Sequence, residues 1–161
     1  MRILGIDPGF AITGYSVIDY VGNKFKLITA GAIETKAGLS FPYRLSKIYD
    51  DLTAIVEEYK PDAMSVEELF FNNNIKTGIN VAQARGIVVL VGYQHQIPTF
   101  EYTPLQVKQA VVGYGRAEKK QVQKMVQSIL KVEKVPKLDD ITDSMAIAIC
   151  HAHSHRFAEK L

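Results

Sequence analysis

Four acidic residues occupy positions at which a carboxylate can take part in chemistry. Asp7 ends a short apolar run directly before a Pro-Gly turn, and Glu67 ends a second apolar run. Asp140 and Asp143 are three residues apart, a spacing that directs both side chains to one face of a helix. Because an unpaired carboxylate is costly to bury, each has to cap a turn, pair with a cation or bind a metal ion. For Asp7 taken alone, a turn-capping role without chemistry stays open.

Brought together, these four carboxylates would repel one another unless cations were bound between them. Oxygen ligands favour Mg²⁺ or Mn²⁺ over zinc, and Cys150 is the one cysteine of the chain. Two such ions, about 3.5 to 4 Å apart, can activate water on one side of a phosphodiester and stabilise the leaving oxygen on the other. The residue types therefore predict a nuclease site with two Mg²⁺ ions, for which Mn²⁺ can substitute, held by Asp7, Glu67, Asp140 and Asp143.

The apolar pattern predicts an α/β domain that can bring these acids together. Strands are expected at residues 3–7, 13–19, 24–33, 63–67 and 98–102. Helices are expected at 42–59, 75–96, 104–113, around 122–129 and from Asp139 or Asp140 to His151, with Asp139 interpreted as an N-cap. The first three strands should be antiparallel, and the helix before Glu67 allows its strand to lie parallel to the first through a right-handed crossover. Asp7 and Glu67 then emerge at one edge of the sheet, where ligands of such sheets bind.

Length and composition fit one compact domain over residues 1–161. The chain is 47% hydrophobic and 22% charged, enough for a sizeable core. The single Cys150 excludes an intrachain disulfide framework and suits a reducing compartment. The sequence has neither a signal-peptide pattern nor eighteen consecutive apolar residues. We therefore expect a soluble cytoplasmic protein with no membrane partner.

Positive charge is concentrated in the last third of the chain. Residues 1–101 carry nine Lys or Arg against eleven Asp or Glu, whereas residues 102–161 carry ten against six. Seven of those basic residues lie between Lys108 and Lys134, beside only two acids. This density could follow a phosphate backbone, although such runs also occur as solvated helix faces.

With these motifs the sequence resembles the RuvC-type Holliday junction resolvases, a bacterial family with a ribonuclease-H-like fold. The resemblance spans nearly the whole chain and rests on Gly5-Ile6-Asp7-Pro8-Gly9, Thr13-Gly14, Val66-Glu67-Glu68-Leu69-Phe70, Gln83-Ala84-Arg85-Gly86, residues 106–113, Ala117-Glu118-Lys119 and Asp140-Ile141-Thr142-Asp143-Ser144. It implies a mixed five-stranded sheet flanked by helices. It also assigns the catalytic acids to Asp7, Glu67, Asp140 and Asp143, the residues already selected from their positions.

The same resemblance implies a crossover junction endodeoxyribonuclease that acts in homologous recombination and DNA repair. Such an enzyme makes paired symmetric nicks in two junction strands of like polarity and leaves 5′-phosphate and 3′-hydroxyl ends. A two-fold substrate that needs two matched cuts calls for a homodimer. The helix with Gly78, Ala82 and Gly86 is the candidate dimer surface, with packing on the sheet as the alternative. The branch-migration proteins RuvA and RuvB are implied partners.

Several residues are candidates for contact with junction DNA. Phe70 and Phe71, followed by three asparagines, are expected to stack on unpaired bases. Lys108 and Lys119 occupy motif positions that the family uses near the scissile phosphate, and Lys119 is also a catalytic candidate because a fixed cation opposes transition-state charge. Arg116 and Lys120 are expected to contact phosphates at most. The i, i+4 pair His151 and His155 could hold a metal ion or supply cations near a helix C-terminus.

Three other functions remain alternatives on the sequence. An actin-like or sugar-kinase-like phosphotransferase also begins with a strand, Asp, Gly and Thr, but such proteins close two related domains around ATP and this chain is long enough for one. A junction-binding architectural module would use the acids only structurally. A ribonuclease H would require RNA–DNA hybrid geometry, so substrate preference separates it from a junction nuclease.

Overall fold

The computed structural model of the chain describes residues 1–69 and 75–158, which form five strands and five helices. The strands are β1 (Arg2–Asp7), β2 (Ile12–Val21), β3 (Lys24–Glu34), β4 (Ala63–Glu67) and β5 (Thr99–Tyr102). The helices are α1 (Phe41–Tyr59), α2 (Ile75–Gln94), α3 (Pro104–Val112), α4 (Lys119–Leu130) and α5 (Asp139–Ala158). Each predicted element is present; most ends differ by a few residues, and α5 continues seven residues beyond the predicted His151.

The strands form one mixed sheet in the order β3-β2-β1-β4-β5. β2 pairs antiparallel with both β1 and β3, whereas β4 pairs parallel with both β1 and β5. The predicted α/β class and mixed five-stranded sheet are therefore confirmed. The parallel register places Gly5 beside Ser65 and Ile6 beside Val66, so β1 and β4 end at the same level.

The turn between β2 and β3 explains why these strands form a hairpin. Gly22 and Asn23 both have positive φ, 55° and 63°. Two such residues between paired strands suit the twist of a tight hairpin, and glycine and asparagine accept this conformation at low cost. The hairpin extends the sheet on the side of β1 opposite β4.

The sheet separates two hydrophobic cores. Leu4 and Ile6 of β1 pack with α1 and α2, whereas Ile3 packs with α3, α4 and α5. Since successive side chains of a strand point to opposite faces, Gly5 and Asp7 share the α5 face with Ile3. The sheet is thus the middle layer between two groups of helices, and the alternation of β1 directs Asp7 toward α5.

The helices on the α5 side begin and end on local signals. Thr103 caps α3 by accepting a hydrogen bond of 3.1 Å from the Gln106 backbone N–H, while Gln106 Oε1 accepts one of 2.8 Å from the Thr103 backbone N–H. Gly113 ends the helix with φ 81°.

The helix α2 stops at Gln94, earlier than predicted, and Gln96 has φ 57°. Within the described ranges, no helix is long and apolar enough to cross a membrane.

Candidate active site

Asp7 and Glu67 lie side by side at the ends of β1 and β4. The pairing of Ile6 with Val66 brings the next residue of each strand to the same edge. Ser65 donates a hydrogen bond of 2.9 Å to the Ile147 carbonyl of α5, so the side chain two residues further along β4 faces α5 as well. Both carboxylates therefore project from one edge of the sheet toward the first turns of α5.

Two glycines allow α5 to lie unusually close to the sheet. A Cβ atom on Gly5 would overlap the Ser144 carbonyl oxygen and lie 2.8 Å from the Ala148 Cβ. A Cβ atom on Gly14, the residue that pairs with Asp7, would overlap the Asp140 carbonyl group. The absence of these two side chains brings the N-terminal end of α5, with Asp140 and Asp143, onto the edge that holds Asp7 and Glu67.

The electrostatics of Asp7 show that the four acids form one cluster. Burial, first of all, and the negative charges of Glu67, Asp143 and Asp140 together raise the pKa of Asp7 to about 8, against an opposing effect of Lys119. Burial is also the main reason that the pKa values of Glu67 and Asp143 are raised. The predicted convergence of the four acids is thus present in the structure, and the cluster has more negative charge than its surroundings compensate.

Two of the predicted lysines lie beside this cluster. A cleft of about 190 Å³ is lined by Glu67, Pro104, Val107, Lys108, Lys119, Val122, Asp143 and Ala146. Lys119 Nζ lies 3.6 Å from Asp143 Oδ2, and both Lys108 and Lys119 counteract the rise in the pKa of Glu67. The cleft therefore presents two cations and two carboxylates around an apolar floor.

The donor set fits hard divalent cations, because carboxylate oxygens are the ligands that Mg²⁺ and Mn²⁺ prefer. Across residues 1–69 and 75–158, however, no three His, Cys, Asp or Glu side chains are arranged as they stand to hold an ion. Mutual repulsion keeps like charges apart, and Asp143 is drawn toward Lys119. The four carboxylates are the side chains that would hold such ions, on backbone positions fixed by the sheet and α5.

Four further residues are predicted DNA contacts, namely Arg116, Lys120, Phe70 and Phe71. Arg116 and Lys120 are exposed, on the turn before α4 and in its first turn. Phe70 and Phe71 lie outside the described residues. The contacts proposed for these four residues therefore stay predictions from the sequence.

The interpretation of His151 as a cation near a helix end is wrong. His151 is 1% exposed, Tyr102 Oη lies 2.9 Å from its Nδ1, and burial lowers its pKa to about 4. A neutral imidazole packed against Phe100, with ring centroids 4.5 Å apart, is a core residue. In the described part of the chain this histidine belongs to no cluster of three metal-binding side chains.

Two features of the site were not recognised in the sequence. Gly5 and Gly14 belong to the sequence motifs, but those motifs do not by themselves predict their close contact with α5; a glycine inside a strand is the signal that could indicate it. Asp139 is the first residue of α5, and its carboxylate contacts Lys119 and Gln123 of α4. No sequence signal pairs Asp139 with Gln123, because the contact depends on how the two helices pack.

The sheet order, the helix layers and the acidic edge together define a ribonuclease-H-like α/β domain of the nuclease class. The family model described as crossover junction endodeoxyribonuclease RuvC matches residues 3–151. The chain therefore belongs to the crossover junction endodeoxyribonuclease RuvC family.

Individual relatives agree over the full length. The chain is 55% identical to crossover junction endodeoxyribonuclease RuvC of Alkaliphilus oremlandii, covering 99% of this chain and 97% of that protein. It is 56% identical to the protein of the same name from Alkaliphilus metalliredigens, covering 98% and 96%. Among solved structures, Thermus thermophilus RuvC in complex with a Holliday junction substrate superposes with a TM-score of 0.94 at 31% identity, covering 98% of this chain and 96% of that one.

Proposed function

We propose that this protein is a structure-specific endonuclease that resolves Holliday junctions during homologous recombination and DNA repair. It makes paired symmetric nicks in two strands of like polarity and leaves 5′-phosphate and 3′-hydroxyl ends. The convergence of Asp7, Glu67, Asp140 and Asp143 at one sheet edge, beside Lys108 and Lys119, is the observation that supports this proposal most directly. The whole chain, residues 1–161, acts as a single nuclease domain around one sheet.

The four acids are the proposed ligands of two Mg²⁺ ions, with Mn²⁺ as a possible substitute. When bound, two such ions would supply activation of water for in-line attack and neutralisation of charge on the leaving 3′ oxygen. The raised pKa of Asp7 supports this assignment, because a carboxylate buried among other acids gains most from a bound cation. Asp7 and Glu67 project from neighbouring strands, which gives the ligands rigid backbone positions.

Lys119 and Lys108 are proposed to act on the scissile phosphate. Lys119 Nζ is held near Asp143 at the edge of the acidic cluster, where an ammonium group can offset negative charge that develops on the phosphate. Lys108 lines the same cleft next to Glu67 and is proposed to contact a phosphate there. Arg116 and Lys120, both exposed, are proposed to contact the backbone further along the strand.

Phe70 and Phe71 are proposed to stack on bases that become unpaired where the junction opens. The support is positional, since both residues follow shortly after Glu67 at the end of β4. Stacking of one base on an aromatic ring contributes about 1 to 3 kcal/mol. This is enough to hold an opened base pair close to the acids.

A homodimer formed through α2 is proposed to make the two cuts. Ile75, Ile79, Leu90 and Tyr93 are 71%, 49%, 44% and 82% exposed and recur along one side of the helix. Gly86 lies on that side, with open space where its Cβ would be, so it does not pack on the sheet. An exposed apolar stripe with a small residue at its centre suits a second copy of the same helix.

The remaining parts of the proposal rest on family membership. RuvA and RuvB, the branch-migration proteins, are the proposed partners on the junction. The proposed location is the bacterial cytoplasm, where the chromosomal junctions are.

Cleavage of three matched substrates tests the proposed function. A synthetic four-way junction, a linear duplex and an RNA–DNA hybrid are each incubated with Mg²⁺ or with EDTA, using wild type and Asp7→Asn. We expect symmetric Mg²⁺-dependent nicks in the junction alone, and none with the variant. Preference for the hybrid would indicate a ribonuclease H. Tight junction binding without cleavage in Mg²⁺ or Mn²⁺ would instead indicate an architectural module.

A further inference from the structure

The carboxylate of Asp139, which lies outside the four-acid cluster, connects α5 to two successive turns of α4. Asp139 Oδ2 lies 2.9 Å from Lys119 Nζ, and Asp139 Oδ1 accepts a hydrogen bond of 3.0 Å from Gln123 Nε2. Lys119 and Gln123 are four residues apart, so they lie one above the other on the same side of α4. Both oxygens of Asp139 are thereby engaged by one face of the neighbouring helix.

Lys119 contacts Asp139 more closely than it contacts Asp143. The two carboxylates are also four residues apart on α5, which explains how one ammonium group reaches both, at 2.9 and 3.6 Å. The Lys119 side chain is 53% exposed and has four rotatable bonds, so without a partner it would sample many conformations. Asp139 is the nearer of the two carboxylates that contact the Lys119 ammonium group.

We infer that Asp139 is a positioning residue, held by Gln123, that keeps the Lys119 ammonium group beside the active site. The inference rests on the proposed nuclease function of the four-acid cluster. When cations engage Asp143, that carboxylate becomes a weaker partner for Lys119, and Asp139 remains to hold it. Asp139 contacts Lys119 and Gln123, and the positioning role acts through Lys119.

A double-mutant cycle tests whether Asp139 acts through Lys119. Single-turnover cleavage of a four-way junction is measured in Mg²⁺ for wild type, Asp139→Asn, Lys119→Met and the double variant. We expect Asp139→Asn to lower the rate about tenfold, a part of the roughly 10²- to 10³-fold loss that removal of a fixed transition-state donor causes. In the Lys119→Met background, Asp139→Asn should have no further effect. Independent, multiplicative losses would overturn the inference.

Three further variants separate positioning from other roles. Gln123→Ala should lower the rate in the same direction but less, and Asp139→Glu should recover part of the loss. Glu133→Gln, an exposed acid on the connection between α4 and α5, is the matched control and should cleave like wild type. If Asp139→Asn weakens Mg²⁺ binding in a calorimetric titration and also lowers the cleavage rate in the Lys119→Met background, the carboxylate acts on the metal site directly and the positioning role is wrong.

A measurement made without metal or DNA separates the positioning role of Asp139 from the proposed nuclease function. The order parameter of the Lys119 ε-methylene group is measured by NMR in EDTA, with Lys120 as an internal reference. Asp139→Asn should increase the mobility of Lys119 and leave that of Lys120 unchanged, with the thermal midpoint of the variant verified beside wild type. Unchanged mobility of Lys119 would overturn the positioning role. Failure of wild type to cleave junctions, with the mobility change present, would instead overturn the proposed function.

Discussion

Gly14 of β2 lies directly against the backbone of Asp140, so closely that a Cβ atom on the glycine would overlap the Asp140 carbonyl group. Gly14 is also the residue that pairs with Asp7 across β1 and β2. The position of Asp140, one proposed metal ligand, therefore depends on the lack of a side chain at Gly14, which pairs with Asp7, a second proposed ligand. The spacing between the sheet and α5 is as much a part of the site as the acids themselves.

Replacement of Gly14 by alanine should displace the start of α5. Because the neighbouring atoms belong to backbone and cannot rotate away, we expect a loss of about 1 to 3 kcal/mol in the free energy of unfolding. Junction cleavage should fall more than tenfold. Denaturant unfolding and single-turnover cleavage measure the two effects. Wild-type cleavage by Gly14→Ala would contradict this account.

Replacement of Asp7 by asparagine should abolish cleavage and leave junction binding intact. The change removes a proposed metal ligand at a buried position but leaves the basic surface untouched. Gel-shift binding in EDTA and cleavage in Mg²⁺ separate the two properties. Asp50→Asn, an exposed acid on α1, serves as the control and should cleave normally. Loss of binding or of folding together with activity would count against the ligand role.

The same variant should change how stability depends on pH. The pKa of Asp7 is about 8 in the folded protein against an ordinary value of 3.8. Between these values the folded state keeps a proton that the unfolded state releases, so the free energy of unfolding falls as pH rises from about 4 to about 8. Without metal, Asp7→Asn should therefore be about 2 to 4 kcal/mol more stable than wild type at pH 8 and nearly equal to it at pH 4.

Denaturant unfolding in EDTA at the two pH values measures this difference. Addition of Mg²⁺ at pH 8 should stabilise wild type and leave Asp7→Asn nearly unchanged, since binding to the folded state shifts the equilibrium by mass action. A wild-type protein whose stability is constant from pH 4 to pH 8 in EDTA would show that the Asp7 carboxylate is not buried among like charges.

Replacement of Phe70 by alanine should impair cleavage while the metal site stays intact. A lost stacking contact of about 1 to 3 kcal/mol corresponds to a decrease of roughly 5- to 150-fold. A junction with mismatched bases at its centre should restore part of the rate, because its bases are already unpaired. An unchanged rate of Phe70→Ala on an intact junction would remove the stacking hypothesis.

Replacement of Ile79 by glutamate should disrupt the proposed dimer. A charge on each copy would be buried against its symmetry mate without a partner. Sedimentation measures the oligomeric state, and Tyr43→Glu, a similarly exposed apolar position on α1, is the control. A dimer that persists in Ile79→Glu would direct attention away from this face of α2.

The positions of some residues of the candidate site can be predicted from the sequence, whereas the positions of others depend on how distant elements pack together. The positions of Asp7 and Glu67 could be predicted because strand ends, side-chain alternation and a parallel crossover between successive elements are all recognisable from short stretches of sequence. Asp140 and Asp143 were predictable from helical spacing, but their distance from the sheet depends on Gly5 and Gly14, which leave no periodic signal. His151 was misread because its burial depends on β5 side chains distant in sequence, including Tyr102.

The acidic cluster also has a consequence for protein synthesis. Asp7 is carried by the first strand, whereas Asp140 and Asp143 are carried by the last helix, which packs against that strand and its neighbours. Since a chain emerges from the ribosome N-terminus first, a nascent chain without α5 lacks half of its proposed metal ligands. The order of translation would therefore leave an unfinished molecule without a complete set of the proposed metal ligands.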